Sequence, residues 1–172
     1  MLIGYFDCFS GASGDMILGA FVDAGFSLDK LESELEKINL KNEFRIEKSI
    51  IKKQNISATK ITVIQQKNLP PRLFSEIKKI IQKSGLDEST KELSIKIFNQ
   101  LALAESKIHN QKIEQVHFHE IGAIDSIVDI IGAAICFSQS DIKKTYASPL
   151  PLGKGLTKTA HGMIPIPAPA TL

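Results

Sequence analysis

From Ser126 to Phe137 the chain reads Ser-Ile-Val-Asp-Ile-Ile-Gly-Ala-Ala-Ile-Cys-Phe, with a single charge and almost no polar face. A helix that is apolar nearly all round has to be buried. The longer stretch from Ala123 is interrupted by Asp125 and Asp129 and falls short of the roughly 18 apolar residues a membrane span needs, so the burial is in a protein core. Gly132 permits close packing against that helix. The chain is long enough to build such a core: 172 residues, 43% hydrophobic and 23% charged, fit one globular domain over 1–172. A net charge of +2 is too balanced for a duplex nucleic-acid binder, and no membrane partner is expected. Met1 to Phe6 lacks a basic start and meets Asp7 too early for a secretory signal. Cys8 and Cys136 lie far apart and read as reduced thiols, so a cytoplasmic protein is expected.

Around the buried helix, the pattern alternates strands with helices. Leu2–Phe6 reads as a strand, Ser10–Gly14 as a small-residue loop, and Met16/Ile17, Ala20/Phe21 and Ala24 as a helix ended by Gly25. Ser27 caps a second helix with the stripe Leu28, Leu31, Leu35 and Ile38. From Glu43 the period falls to two, and two runs on either side of Gln54-Asn55 predict an antiparallel pair. Phe74, Ile77, Ile80 and Ile81 mark a short helix closed by Gly85. Asp87 or Ser89 starts a longer one that stops at Asn110. Ile113–His119 reads as extended, and five of the seven prolines fall in the last 24 residues, which must run as strand and ordered loop. The expectation is an α/β or α+β layered domain with a mixed sheet packed against helices.

Three places carry the residue types of chemistry. In Asp7-Cys-Phe-Ser-Gly-Ala-Ser-Gly-Asp15, Ser10, Gly11, Ser13 and Gly14 precede a helix start, whose N–H groups and dipole can hold a phosphate. Asp7 and Asp15 would repel that phosphate unless a divalent cation bridges them. A tight turn with Ser13 as cap and Asp15 complementing the dipole accounts for the same residues. In His117-Phe-His-Glu120, an extended backbone puts His117 and His119 on one side, and Val116 and Phe118 on the other, toward the core. Asp125 and Asp129, four apart on the next helix, repel by about 0.2–0.5 kcal/mol unless something positive sits between them. Two histidines and three acids suit a borderline or hard divalent ion such as Ni, Zn, Mn or Mg; a strand end followed by a helix cap is the alternative. Lastly, Lys154 between Gly153 and Gly155 can reach an anion, and His161 can serve as base or ligand, although a surface hairpin with a basic tip explains both.

Taken together, Phe6–Met16, Val116–Asp129, Ser148–Gly155 with Ala160-His-Gly162, and Pro165–Thr171 resemble, in the same order, the nickel-insertion protein family of nickel-pincer cofactor synthesis (LarC). The resemblance implies an enzyme, a cyclometallase, that places Ni2+ into pyridinium-3,5-bisthiocarboxylic acid mononucleotide, with CTP and Mn2+ or Mg2+, to make the cofactor of lactate racemase. It implies that Asp7, Ser10, Gly11, Ser13, Gly14, Asp15, Lys154 and His161 hold the mononucleotide. His117, His119, Glu120, Asp125 and Asp129 would hold metal, and His119 or Glu120 would remove a ring proton. CTP binding belongs to a later region of the family, so the chain is expected to be the N-terminal domain of a longer or split protein. Its expected partners are the C-terminal part of that protein and lactate racemase apoprotein. A non-catalytic nickel carrier module or a metal-dependent phosphate-ester hydrolase would use the same residues, and both readings stay open.

Overall fold

A computed structural model describes residues 1–67, 69–116, 118, 123–159 and 162–171. The chain runs β1 (Leu2–Phe6), α1 (Gly14–Asp23), α2 (Leu28–Glu36), β2 (Phe44–Lys53), β3 (Ile56–Gln65), α3 (Phe74–Lys83), α4 (Glu88–His109), α5 (Ile124–Ser138), β4 (Ile142–Ala147), β5 (Gly155–Thr159) and β6 (Gly162–Ile166). The boundaries have local causes. Gly25, at φ 102, lets the N–H groups of Gly25 and Phe26 turn back onto the carbonyls of Val22 and Phe21, closing α1. The Ser27 hydroxyl accepts from the Lys30 N–H at 3.2 Å and starts α2. Asp87 does the same for α4, accepting from the Thr90 N–H at 2.9 Å, and Asn110 in the left-handed conformation ends that helix. Gln54 and Asn55, both at positive φ, form the two-residue turn that sets the β2–β3 register from Lys53↔Ile56 to Phe44↔Gln65.

The apolar helix is the centre of the molecule. α5 buries Ile124, Ile127, Val128 and the run Ile131–Cys136, and α1, α2, α4 and β3 pack onto it. At Gly132 a Cβ would lie 3.0 Å from Leu18 Cδ2, so the missing side chain is what lets α1 approach. α1 is held on its other flank by β3, where a Cβ on Gly19 would lie 2.6 Å from the Thr59 carbonyl oxygen. Val116 and Phe118 are fully buried, as their alternation requires, and Phe118 meets the rings of Phe74 and Phe98, each at 6.1 Å. Among the described residues no helix is long and apolar enough to cross a membrane.

The layered mixed α/β class is the observed one, with three refinements. Among the described residues the strands form three separate two-stranded sheets, so parallel and antiparallel pairing are not mixed within one sheet. β1 pairs with β4 in parallel, while β2–β3 and β5–β6 are antiparallel. Second, Ile113–His119 is not a continuous strand, because Ile113–Gln115 forms a 3-10 turn. That turn brings the chain round from Asn110 so that the Val116 carbonyl accepts from the Phe74 N–H at 3.2 Å. Third, β4 was not anticipated: its Lys143 and Lys144 hide the alternation, and its partner β1 lies at the far end of the sequence.

Candidate functional site

The Gly/Ser loop follows β1 directly. Its turn is made by Gly11, at φ 87, whose N–H donates to the Cys8 carbonyl at 2.9 Å. Ser13 occupies the N-cap position of α1, but its hydroxyl donates to the Asp15 carboxylate instead of accepting a backbone N–H. The Asp15 carboxylate in turn accepts from the Met16 N–H at 2.9 Å, and the Ile17 N–H donates to the Ser13 carbonyl at 3.0 Å. The helix start therefore has fewer open donors than its sequence suggests, since its first groups are engaged within the loop.

What faces the helix start is a carboxylate from α5. A Cβ on Gly14 would lie 2.7 Å from Asp129 Cγ, so glycine is the residue that lets the loop close onto this acid. Burial pushes the Asp129 carboxyl up to about 7, with the charges of Asp15 and Asp125 adding to the effect and the facing Asp15 N–H opposing it. Asp129 Oδ1 is buried and has no hydrogen-bond partner. A carboxylate oxygen in that position, with two more carboxylates close enough to be felt, is neutralised either by a proton or by a cation. Among the described residues no three His, Cys, Asp or Glu side chains are grouped to hold a metal by themselves. His117, His119 and Glu120, the other donors read from the sequence, lie outside the described residues, as does His161.

The third motif reaches the loop through Ser148. Its N–H donates to the Phe6 carbonyl at 2.9 Å and its hydroxyl accepts from the Cys8 N–H at 2.8 Å, extending the β1–β4 pairing into the loop. In the sequence Ser148 is only the first residue of a Pro-rich motif, and a hydroxyl next to proline gives no sign of this bond. One residue from each of the other two motifs thus touches the loop, Asp129 of α5 at Gly14 and Ser148, just after β4, at Cys8. A cleft of about 310 Å³ runs beside the junction between β1 and α1, lined by Asp7, Cys8 and Gly11 and by the apolar Phe6, Met16 and Phe21. Ser10 is exposed on the loop, and Lys154 is exposed on the connection leading into β5.

A family described as nickel insertion protein matches residues 4–172. The pyridinium-3,5-bisthiocarboxylic acid mononucleotide nickel insertion protein of Desulfitobacterium hafniense (strain DSM 10664 / DCB-2) is 48% identical over 172 residues, covering all of this chain and 42% of that protein. The proteins of the same name from Acetivibrio thermocellus and Geobacillus kaustophilus are 45% and 44% identical over 182 residues, and this chain covers 44% of each. The chain thus spans less than half the length of these relatives. No solved structure gives a significant match. With a family match across nearly its whole length and relatives of 44–48% identity covering all of it, this chain belongs to the nickel insertion protein family.

Proposed function

We propose that this chain is the part of a nickel insertion protein that presents Ni2+ to a pyridinium mononucleotide, with Asp129 and its neighbours as the metal end of the site. One observation carries the reading: Asp129 Oδ1 is buried without a partner, in a carboxylate already pressed by Asp15 and Asp125. The arrangement is unfavourable alone and favourable with a cation present. Carboxylates from α1 and α5 would supply oxygen donors, and His117, His119 and Glu120 are assigned as the remaining ones, a mixed nitrogen and oxygen set of the kind that suits Ni2+ as a substrate ion. Asp7, Ser10 and Gly11, with Lys154 and His161, are assigned to the mononucleotide.

The names of the relatives support pyridinium-3,5-bisthiocarboxylic acid mononucleotide as the substrate. Forming a carbon–nickel bond on its ring requires a base to take the ring proton as the metal takes the electron pair, and His119 or Glu120 is assigned that role. CTP with Mn2+ or Mg2+ would be bound by the C-terminal part, and the product delivered to lactate racemase apoprotein in the cytoplasm. The test is to mix the purified chain with Ni2+, CTP and the pyridinium substrate, with and without the C-terminal part of a relative. Nickel-pincer formation that depends on both parts is the expected result. Metal binding without turnover under any condition would make the chain a carrier, and phosphate release from simple esters would make it a hydrolase.

A further inference from the structure

If the helix start is engaged by Asp15 and faced by Asp129, a substrate phosphate needs positive charge from elsewhere. The structure has it one wall away. Between α1 and the β2–β3 hairpin lies a cleft of about 480 Å³, lined on the helix side by Asp15, Met16 and Asp23 and on the hairpin side by Lys53, Thr59 and Lys60. Asp23 is occupied, accepting from the Thr59 hydroxyl at 2.6 Å. Neither Lys53 nor Lys60 is in an ion pair among the described residues. The pairing of Ile51 with Ala58 puts Lys53 and Lys60 on one face of the hairpin, with Ile51 and the small Ala58 between them. Lys60 stands four residues along β3 from Ile56, the partner of Lys53. Adding the spacing between strands, the two backbones are about 14 Å apart, a gap that two lysine side chains can close around one anion. The cleft thus has its charge divided, lysines on one wall and acids on the other, and Asp15 belongs both to it and to the Asp129 corner.

We propose that this cleft is the phosphate end of the mononucleotide site: Lys53 and Lys60 hold the phosphate, and the ring lies along Met16 toward Asp15 and the metal end. The assignment rests on the nickel-insertion reading and adds to it where the substrate lies. A pyridinium mononucleotide fits this division, because its phosphate is the end farthest from the ring substituents that must reach the metal.

The experiment is calorimetry on the 172-residue chain with nicotinic acid mononucleotide as probe and nicotinic acid riboside as its phosphate-free counterpart. The mononucleotide is expected to bind at least about tenfold more tightly than the riboside, a difference that shrinks with added salt. The double variant Lys53→Gln/Lys60→Gln is expected to abolish that difference without changing riboside affinity or melting temperature. Lys48 and Lys52 do not line the cleft, and Lys48→Gln/Lys52→Gln removes the same charge while keeping the difference. Equal losses in the two double variants, or none in Lys53→Gln/Lys60→Gln, overturn the proposal. If that variant inserts nickel, with the C-terminal part supplied, at an unchanged KM for the pyridinium substrate, the phosphate lies elsewhere and the function stands. A wild-type chain that neither binds the mononucleotide nor inserts nickel overturns both.

Discussion

Asp129 is the residue on which burial, charge and packing converge. Its carboxyl is shifted up to about 7 from an ordinary value of 3.8, so the folded apo protein holds a proton there that the unfolded chain releases. Between about pH 4 and pH 7 the folded state binds more protons than the unfolded one, and stability must fall as pH rises across that window. Asp129→Asn removes the ionisation, so the variant should equal or exceed wild-type apo stability at pH 8 and show a flatter profile from pH 4 to 7. Thermal melts at several pH values without metal check this; a variant less stable at pH 8 would mean that the carboxylate supports the scaffold. Gly14 gives the second residue-scale expectation. Because a Cβ there would run into the Asp129 side chain, Gly14→Ala should cost about 1–3 kcal/mol by pushing α1 from α5, measured by denaturant unfolding. A loss no larger than that of an exposed surface substitution would show that the contact is loose. The i, i+4 spacing of Asp125 and Asp129 was legible in the sequence. The approach of Gly14 to Asp129 was not, since it depends on where two helices more than 100 residues apart cross.

At the scale of elements, most of the fold was legible because α1 to α4 each carry an apolar stripe and α1, α3 and α4 also carry a stop, while α5 is marked by being apolar nearly all round. Asp87 is the clearest case. Burial alone would raise its carboxyl, but hydrogen bonds from Ser89, Thr90 and Gln139 together outweigh that and hold it well below the usual range. Its contribution is therefore present above about pH 4 and lost as pH falls through and below that value, the opposite sense to Asp129. Asp87→Ala removes the cap of α4 and the acceptor of the buried Thr90 hydroxyl. It should cost about 0.5–2 kcal/mol for the cap, with the orphaned hydroxyl adding to the loss. Urea melts at pH 7 read the change; a loss equal to that of a surface substitution would reject the cap as a source of stability. Elements specified only by distant partners were the illegible ones. β4 is a strand because β1 waits for it, and Ile113–Gln115 turns because Val116 must reach Phe74.

For the whole molecule, the order of the chain explains why the site assembles. β1 and β4 come from opposite ends of the sequence and pair in parallel, which sets Ser148 on the loop at Cys8, while α5, packed through Gly132 against α1, sets Asp129 on the same loop at Gly14. The resemblance could name the motifs in sequence order; only the folded chain brings the Gly/Ser loop to both of the others. Lys53 and Lys60 escaped sequence reasoning because lysines in an exposed hairpin look like solvated charge until a helix is laid beside them. Ni2+ is proposed to be held beside Asp129, and titration of the apo chain with Ni2+ at pH 7.5, for wild type and Asp129→Asn, is the decisive measurement. Wild type should bind one equivalent, more weakly as pH falls through about 7, and Asp129→Asn should bind at least about tenfold more weakly with its fold intact. A wild-type chain that takes up no Ni2+, or an Asp129→Asn variant that binds it as tightly as wild type, would contradict the account.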